Sequence, residues 1–346
     1  MAENMAKKMA QKVDSHDHLI APLEETLRRA GLADPAVTIS GVPSVGATRS
    51  TLLIDIESGG EHLYAVAQIG PMADGTPVAP SEAKLLELAA GAGVPVPQVI
   101  AVADRLGGEP ADVLIASRIG GLSIPRKILR SLDSEASGDA LARQCGEAFA
   151  RIHSVPTGDL PASLERFDET APHHDYCRWL DEALSTVETY HPAVRWGISQ
   201  LRRNPPSVPA ELTLVHADFR NGNMLVDNGE LTAVLDWELA HVGDPMEDLA
   251  WMCVRMWRFG NDDRPCGGFG SIEALREGYE SGGGVWRDDA FWWWLAARSA
   301  WWAIGLARQG GLFLSGESGS IVHAASGRRV AELEYDMLTL IRAQEY

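Results

Sequence analysis

His216, Asp218, Asn223 and Asp236 are the residues of this chain whose types and spacing could do chemistry. Asp218 follows His216 by two residues, Asn223 follows Asp218 by five, and Asp236 opens an Asp236-Trp237-Glu238 run thirteen residues further on. A loop reading H-x-D-x-x-x-x-N with a second Asp beyond it places two acids and an amide for phosphoryl transfer. The first Asp takes the acceptor hydroxyl's proton, while the Asn and the second Asp hold magnesium against nucleotide phosphates. Such transfer passes through a loose transition state, so the demand on the protein is positioning and charge neutralisation. Arg220 is placed either to stabilise the developing charge or to form only a structural ion pair. Glu238 is either a further metal ligand or a tie for the loop that follows. The plain alternative for all of these, a solvated loop between two strands, sits poorly with the ordered spacing.

These side chains need short rigid elements to hold them. Residues 212–216 and 224–227 read as strands, Asn228-Gly229 as a type I′ turn that needs φ > 0 twice, and residues 231–236 as the return strand. That hairpin would carry Asp236 back beside Asn223. Upstream, a helical lead-in at 19–30 precedes strands at 37–40, 50–56 and 62–69, which suggest a small antiparallel sheet. The glycine-containing loop between the first two, residues 41–50, could cover nucleotide phosphates or be an ordinary hairpin. Residues 81–90 read as a helix with Ser81 as N-cap and Gly91 as its stop. Strands at 94–102 and 112–117 follow. From Ile124 the pattern is mainly helical, with apolar spacing over 139–153, 175–186 and 192–201 before Pro205-Pro206. Asp244-Pro245-Met246-Glu247 reads as a helix start closed by a capping box.

At 346 residues and 45% hydrophobic content the chain can bury a large core divided between two lobes. A formal net charge of −18 argues against nucleic acid or an anionic membrane as partner. Cys145, Cys177, Cys253 and Cys266 are widely spaced, without a C-x-x-C pair, and read as reduced buried thiols. Residues 1–13 lack the apolar stretch of a secretory signal, and no run of eighteen apolar residues occurs, so a cytoplasmic protein is expected.

The catalytic-type loop, together with residues 234–250 (VLDWELAHVGDPMEDLA), resembles the aminoglycoside phosphotransferase and choline kinase-like family. It looks most like the branch of kinase domains attached to some acyl-CoA dehydrogenases. The resemblance implies an α+β, two-lobed protein-kinase-like fold, with residues 1–118 as the nucleotide-binding lobe and 119–346 as the catalytic and substrate lobe. It implies ATP and Mg2+ as cofactors, with Gly46 and Arg49 from the glycine-containing loop at the phosphates. Residues 117–121, Ser117 and Ile119 among them, become the hinge whose backbone meets the adenine edge. Glu82 matches the helix Glu that pairs with a strand Lys or Arg, although a first-turn acid complementing the helix dipole would look the same. Asp248 would hold the catalytic loop from beneath.

One departure is serious. The third strand of most relatives carries a Lys or Arg that reaches the phosphates, and here Ala67 or Gln68 fills that slot. Either Arg49 or Lys84 supplies the missing charge, or nucleotide affinity is impaired. Tryptophans crowd the region after Ala250, and three in a row at 292–294 must point about 100° apart on a helix, so at least one should leave the main core. Such a residue lines an apolar acceptor pocket or packs between helices. Asp262, Asp263, Asp288 and Asp289, the acids an aminoglycoside would need, stand beside Arg264 and Arg287 and read as a solvated loop. The expected activity is ATP-dependent transfer of the γ-phosphoryl group to a hydroxyl of a small molecule, with a hydroxylated acyl compound as the preferred acceptor. An antibiotic acceptor (aminoglycoside or macrolide) and a catalytically silent nucleotide-binding protein are the alternatives.

Overall fold

The computed structural model describes residues 16–43, 49–72, 75–168, 171–207 and 211–344. They fall into two compact units, one built from residues up to Gly120 with Leu160–Ser163 and Thr232–Glu238, the other from Gly121–Asp159, Leu164–Leu231 and Leu239 onward.

The first unit is a five-stranded antiparallel sheet with a helix on each face. Its strands are β1 (Ala36–Gly41), β2 (Ser50–Ser58), β3 (Glu61–Gly70), β4 (Val99–Leu106) and β5 (Glu109–Ser117), in the order β1-β2-β3-β5-β4. Alternation sorts their side chains. Leu52 and Ile54 of β2, Ala65 and Ala67 of β3, and Val113 and Ile115 of β5 share a core with Leu23 and Leu27 of α1 (Ile20–Arg29), whose four-residue spacing puts both on one helical face. The opposite face of β4 and β5 carries α2 (Ala79–Gly91). Here the expectation of a Ser81 N-cap fails. The helix begins two residues earlier, Asp112 accepts from Ala79 N at 2.7 Å, and the Ser81 hydroxyl bonds to that of Ser163. The strand expected over 94–102 begins only at Val99.

The second unit is mainly helical. It contains α3 (Pro125–Ser131), α4 (Glu135–His153), α5 (Pro172–Ser185), α6 (Pro192–Arg203), α7 (Met246–Cys253), α8 (Ile272–Ser281), α9 (Asp288–Leu314), α10 (Ile321–Arg328) and α11 (Val330–Gln344). Helices α4 and α8 touch backbone to backbone, because a Cβ on Gly146 would lie 2.2 Å from Leu275 O and one on Gly278 2.0 Å from Arg143 O. Two small ladders frame the catalytic-type loop: β6 (Thr213–Val215) pairs with β9 (His241–Gly243), and β7 (Met224–Asp227) with β8 (Glu230–Val234). The β7–β8 turn has φ of 50° at Asn228 and 82° at Gly229, the left-handed pair that a type I′ turn requires.

The α7 start departs from the expected capping box. Asp244 does cap, accepting from Met246 N at 2.9 Å, but Glu247 turns inward to Arg298 (2.7 Å) and His241 (3.2 Å). A fully buried carboxylate with two cationic partners outcompetes a cap that water could replace. No helix among the described residues is long and apolar enough to cross a membrane.

Candidate active site

In the second unit the chain leaves β6 through His216 and makes a left-handed step at Ala217, φ 64°. That conformation is costly for a residue with a Cβ and survives only where its surroundings pin it. Asp248 does the pinning: its two oxygens accept from His216 N at 2.8 Å and Ala217 N at 2.7 Å, while Arg298 donates to Ala217 O at 2.5 Å. Asp248 also faces His153 at 3.1 Å, and the His153 ring meets the Tyr279 hydroxyl at 2.9 Å. Burial alone would raise the Asp248 carboxyl, but these donors hold it below its ordinary value. The acid expected under the loop is therefore found there, and His153 is a packed helix-terminal residue bound into the same support.

The step at Ala217 presents Asp218, whose Oδ1 accepts from Arg220 Nε at 3.0 Å and Trp251 Nε1 at 2.9 Å. Its Oδ2 accepts from Asn223 Nδ2, which also donates to Asp218 O at 3.1 Å. One oxygen is thus engaged by two protein donors and the other by one, which leaves Oδ2 with acceptor capacity for an incoming hydroxyl. Gly222 closes the loop at φ 121°, where a Cβ would also strike Arg220 Nη1. Arg220 forms the ion pair with Asp218 and lays its guanidinium over Trp257, 4.1 Å from the ring centre.

In the first unit β3 carries no Lys or Arg, and the cation that meets Glu82 comes from elsewhere. Arg49, at the mouth of β2, reaches Glu82 at 2.5 Å and Asp112 at 2.9 Å. Burial works against the guanidinium, but Glu82, Asp112 and then Glu238 together hold its pKa above the ordinary value. For Glu82, burial pushes the carboxyl up and Arg49 opposes it. Pairing of Gln68 with both Thr51 and Leu114 puts it on the face that Arg49 and Asp112 share, whereas Ala67 is wholly buried in the α1-side core. Lys84 is exposed. Ser117, at the end of β5, accepts from Gln98 N at 2.8 Å, and the half-buried Ile119 lies two residues on. Asp236, expected to bind metal, adopts φ 68°, one of five left-handed non-glycines among the described residues. Gly46 lies outside the described residues.

Three participants escaped sequence reasoning. Asp112 is a lone acid leading an apolar strand, a signal readable only as an anomaly. Trp251 was one tryptophan among eleven, and Arg298 merely interrupted an apolar helix. Of the three adjacent tryptophans, Trp293 and Trp294 are buried and Trp292 is 39% exposed. The acids beside Arg264 and Arg287 pair otherwise than their sequence neighbours suggested. Asp262 binds Arg255, Asp288 binds Arg276 and Asp289 binds Ser207, while Arg264 goes to Asp139 and Arg287 to Asp244.

An antiparallel sheet unit, a mainly helical unit and a pinned H-x-D-x-x-x-x-N loop define the protein-kinase-like class. The chain belongs to the phosphotransferase enzyme family, whose model matches residues 44–290. It is 29% identical over 178 residues to acyl-CoA dehydrogenase family member 10 of Mus musculus, a stretch covering 50% of this chain but only 16% of that protein. Among solved structures it is similar to a putative aminoglycoside phosphotransferase from Ralstonia eutropha JMP134 (TM-score 0.74, 19% identity, 93% of this chain and 98% of the other). It is also similar to a thermostable mutant of aminoglycoside phosphotransferase APH(4)-Ia in complex with AMP-PNP and hygromycin B (TM-score 0.62, 17% identity, 92% and 97% covered).

Proposed function

We propose that this protein is an ATP-dependent phosphotransferase that moves the γ-phosphoryl group to a hydroxyl of a small molecule, with a hydroxylated acyl compound as the preferred acceptor. The carrying observation is the Asp218 carboxylate, fixed by three donors yet still able to accept at Oδ2. The acceptor hydroxyl gives its proton to Asp218 as its oxygen bonds to the γ-phosphorus, and the bond from that phosphorus to the bridging oxygen breaks to release ADP. Arg220, paired with Asp218, orients the base. Asn223 and Asp236 supply the amide and carboxylate oxygens that a hard cation takes, and magnesium held there would neutralise phosphate charge. Among the described residues no three His, Cys, Asp or Glu side chains cluster to hold a metal. A donor set of few protein oxygens suits Mg2+, which completes its shell with phosphates and water. Gly46, Arg49, Glu82, Ser117 and Ile119 are assigned to the nucleotide, Arg49 in place of the strand Lys.

The acyl acceptor is favoured by the likeness to acyl-CoA dehydrogenase family member 10 and by the indoles beside Asp218, and it is chosen over the antibiotic that APH(4)-Ia holds. Mass spectrometry of a metabolite extract incubated with protein, ATP and magnesium tests the proposal. The expected result is a hydroxylated species gaining one phosphate, absent with Asp218→Asn. Magnesium-dependent stabilisation by ATP without any phosphorylated product would favour a silent nucleotide-binding protein.

A further inference from the structure

Asp218 stands at one end of a continuous run of indoles. Trp251, which donates to its carboxylate, packs edge-on against Trp257 (4.9 Å between ring centres) and Trp301 (5.1 Å). Trp302 lies 5.4 Å from Trp257 and 5.8 Å from Trp301, and Trp179 stacks beyond Trp301 at 6.2 Å. Trp251 is fully buried and Trp257 is 7% exposed, but Trp179, Trp301 and Trp302 are only half-buried. Three large indoles are thus left partly bare in a run that ends on a catalytic-type carboxylate.

Several charges around this wall are already matched. Arg298 is held between Trp251 and Trp301, 4.2 Å from each, and pairs with Glu247; Arg220 covers Trp257 and pairs with Asp218. In the single turn of 3-10 helix that carries Trp257, Arg255 takes both Asp262 and Asp336. Each of these carboxylates has an arginine, and the indole faces turned to Arg220 and Arg298 already hold a cation, which disfavours a further ammonium group on them.

We infer that Trp179, Trp257, Trp301 and Trp302 form the acceptor subsite, and that it takes a neutral or anionic molecule whose hydroxyl-bearing carbon continues into an apolar chain, rejecting polycations. The subsite rests on the phosphotransferase reading for its purpose, but not for its ability to bind. An acceptor chain lying along the wall brings its hydroxyl to Asp218 Oδ2.

Isothermal titration of the intact protein with hydroxy acids from hexyl to dodecyl length, with choline and hygromycin B alongside, tests binding without turnover; phosphate transfer to the same compounds is read separately. Affinity should rise about threefold to fourfold per methylene until the wall is covered. Trp302→Ala and Trp301→Ala should flatten that dependence, while Trp302→Phe retains most of it. A chain-length dependence without phosphate transfer supports the subsite and counts against the phosphotransferase reading. Binding that ignores chain length, a dependence unchanged in well-folded Trp301→Ala and Trp302→Ala, or stronger binding of hygromycin B than of every hydroxy acid would overturn the subsite.

Discussion

In the proposed reaction Asp218 and Arg49 carry the two charges on which phosphoryl transfer depends, and each is defined by the partners that fix it. Replacing Asp218 with Asn keeps the shape and removes the base. Turnover should fall by about 10²- to 10⁴-fold, the usual worth of a positioned base, with ATP binding preserved. A variant retaining over about half the wild-type rate in single-turnover experiments would remove Asp218 from that role. Arg49 is more informative, because its acidic neighbours include Glu82, the helix acid expected to pair with a strand cation. Arg49→Ala strands two buried carboxylates and should raise the apparent ATP constant by about tenfold or more, given about 1.5–3 kcal/mol for a charge-assisted bond. Lys84→Ala, on an exposed side chain, should change it little. Gln68 shares the sheet face of Arg49 and Asp112, so Gln68→Lys in the Arg49→Ala background should recover part of the loss, whereas Ala67→Lys would bury a charge in the α1-side core and should not. Equal, negligible effects of Arg49→Ala and Lys84→Ala on ATP would reject a relocated cation.

Whole elements were legible where their cause is local. The Asn228-Gly229 turn could be read directly, since two residues that tolerate φ > 0 between apolar runs leave few alternatives. The loop spacing from His216 to Asn223 was legible for the same reason. What escaped depends on partners distant in sequence. Arg49 and Asp112 are 63 residues apart, and Glu247 abandons its capping box for an arginine 51 residues away. Strand β9 has only three residues, too few to show a period of two, so of the β6–β9 ladder only β6 was legible. Close helix packing was also hidden, because glycine inside a helix reads as a weak point and not as a contact. Gly278→Ala tests this at α4 and α8. Helix propensity favours Ala by about 1 kcal/mol, but the new Cβ would sit 2.0 Å from Arg143 O, a backbone atom that cannot swing away. Overpacking of this kind costs about 1–3 kcal/mol or more, so the melting temperature should fall. A melting temperature equal to or above wild type would show that α4 and α8 part easily.

Across the whole molecule two electrostatic effects oppose each other as pH falls. A net charge of −18 repels itself near neutrality, so the first protons taken up as pH falls relieve repulsion, an effect that added salt should mimic. Buried, paired carboxylates act the other way. Asp244 has no exposed surface and meets His173 at 3.1 Å, Met246 N at 2.9 Å and Arg287. Burial would raise its carboxyl, but the bonds from His173 and Arg287 win and bring its pKa down to about 2. Since this folded value lies below the unfolded one, the folded state binds fewer protons. Its stabilisation is complete above the unfolded pKa of about 4 and is lost as pH drops from there through about 2. A depression of that size corresponds to about 2 kcal/mol at neutral pH. Stability should therefore rise slightly from pH 7 towards about 5, where surface repulsion is relieved, and fall steeply below about 4, where buried pairs lose their anions. Urea titrations across this range should show the acid limb, and Asp244→Asn should be less stable at neutral pH with a shallower limb between about pH 4 and 2. An unchanged slope in that variant would mean that other buried carboxylates, Asp248 foremost, govern acid unfolding of the helical unit.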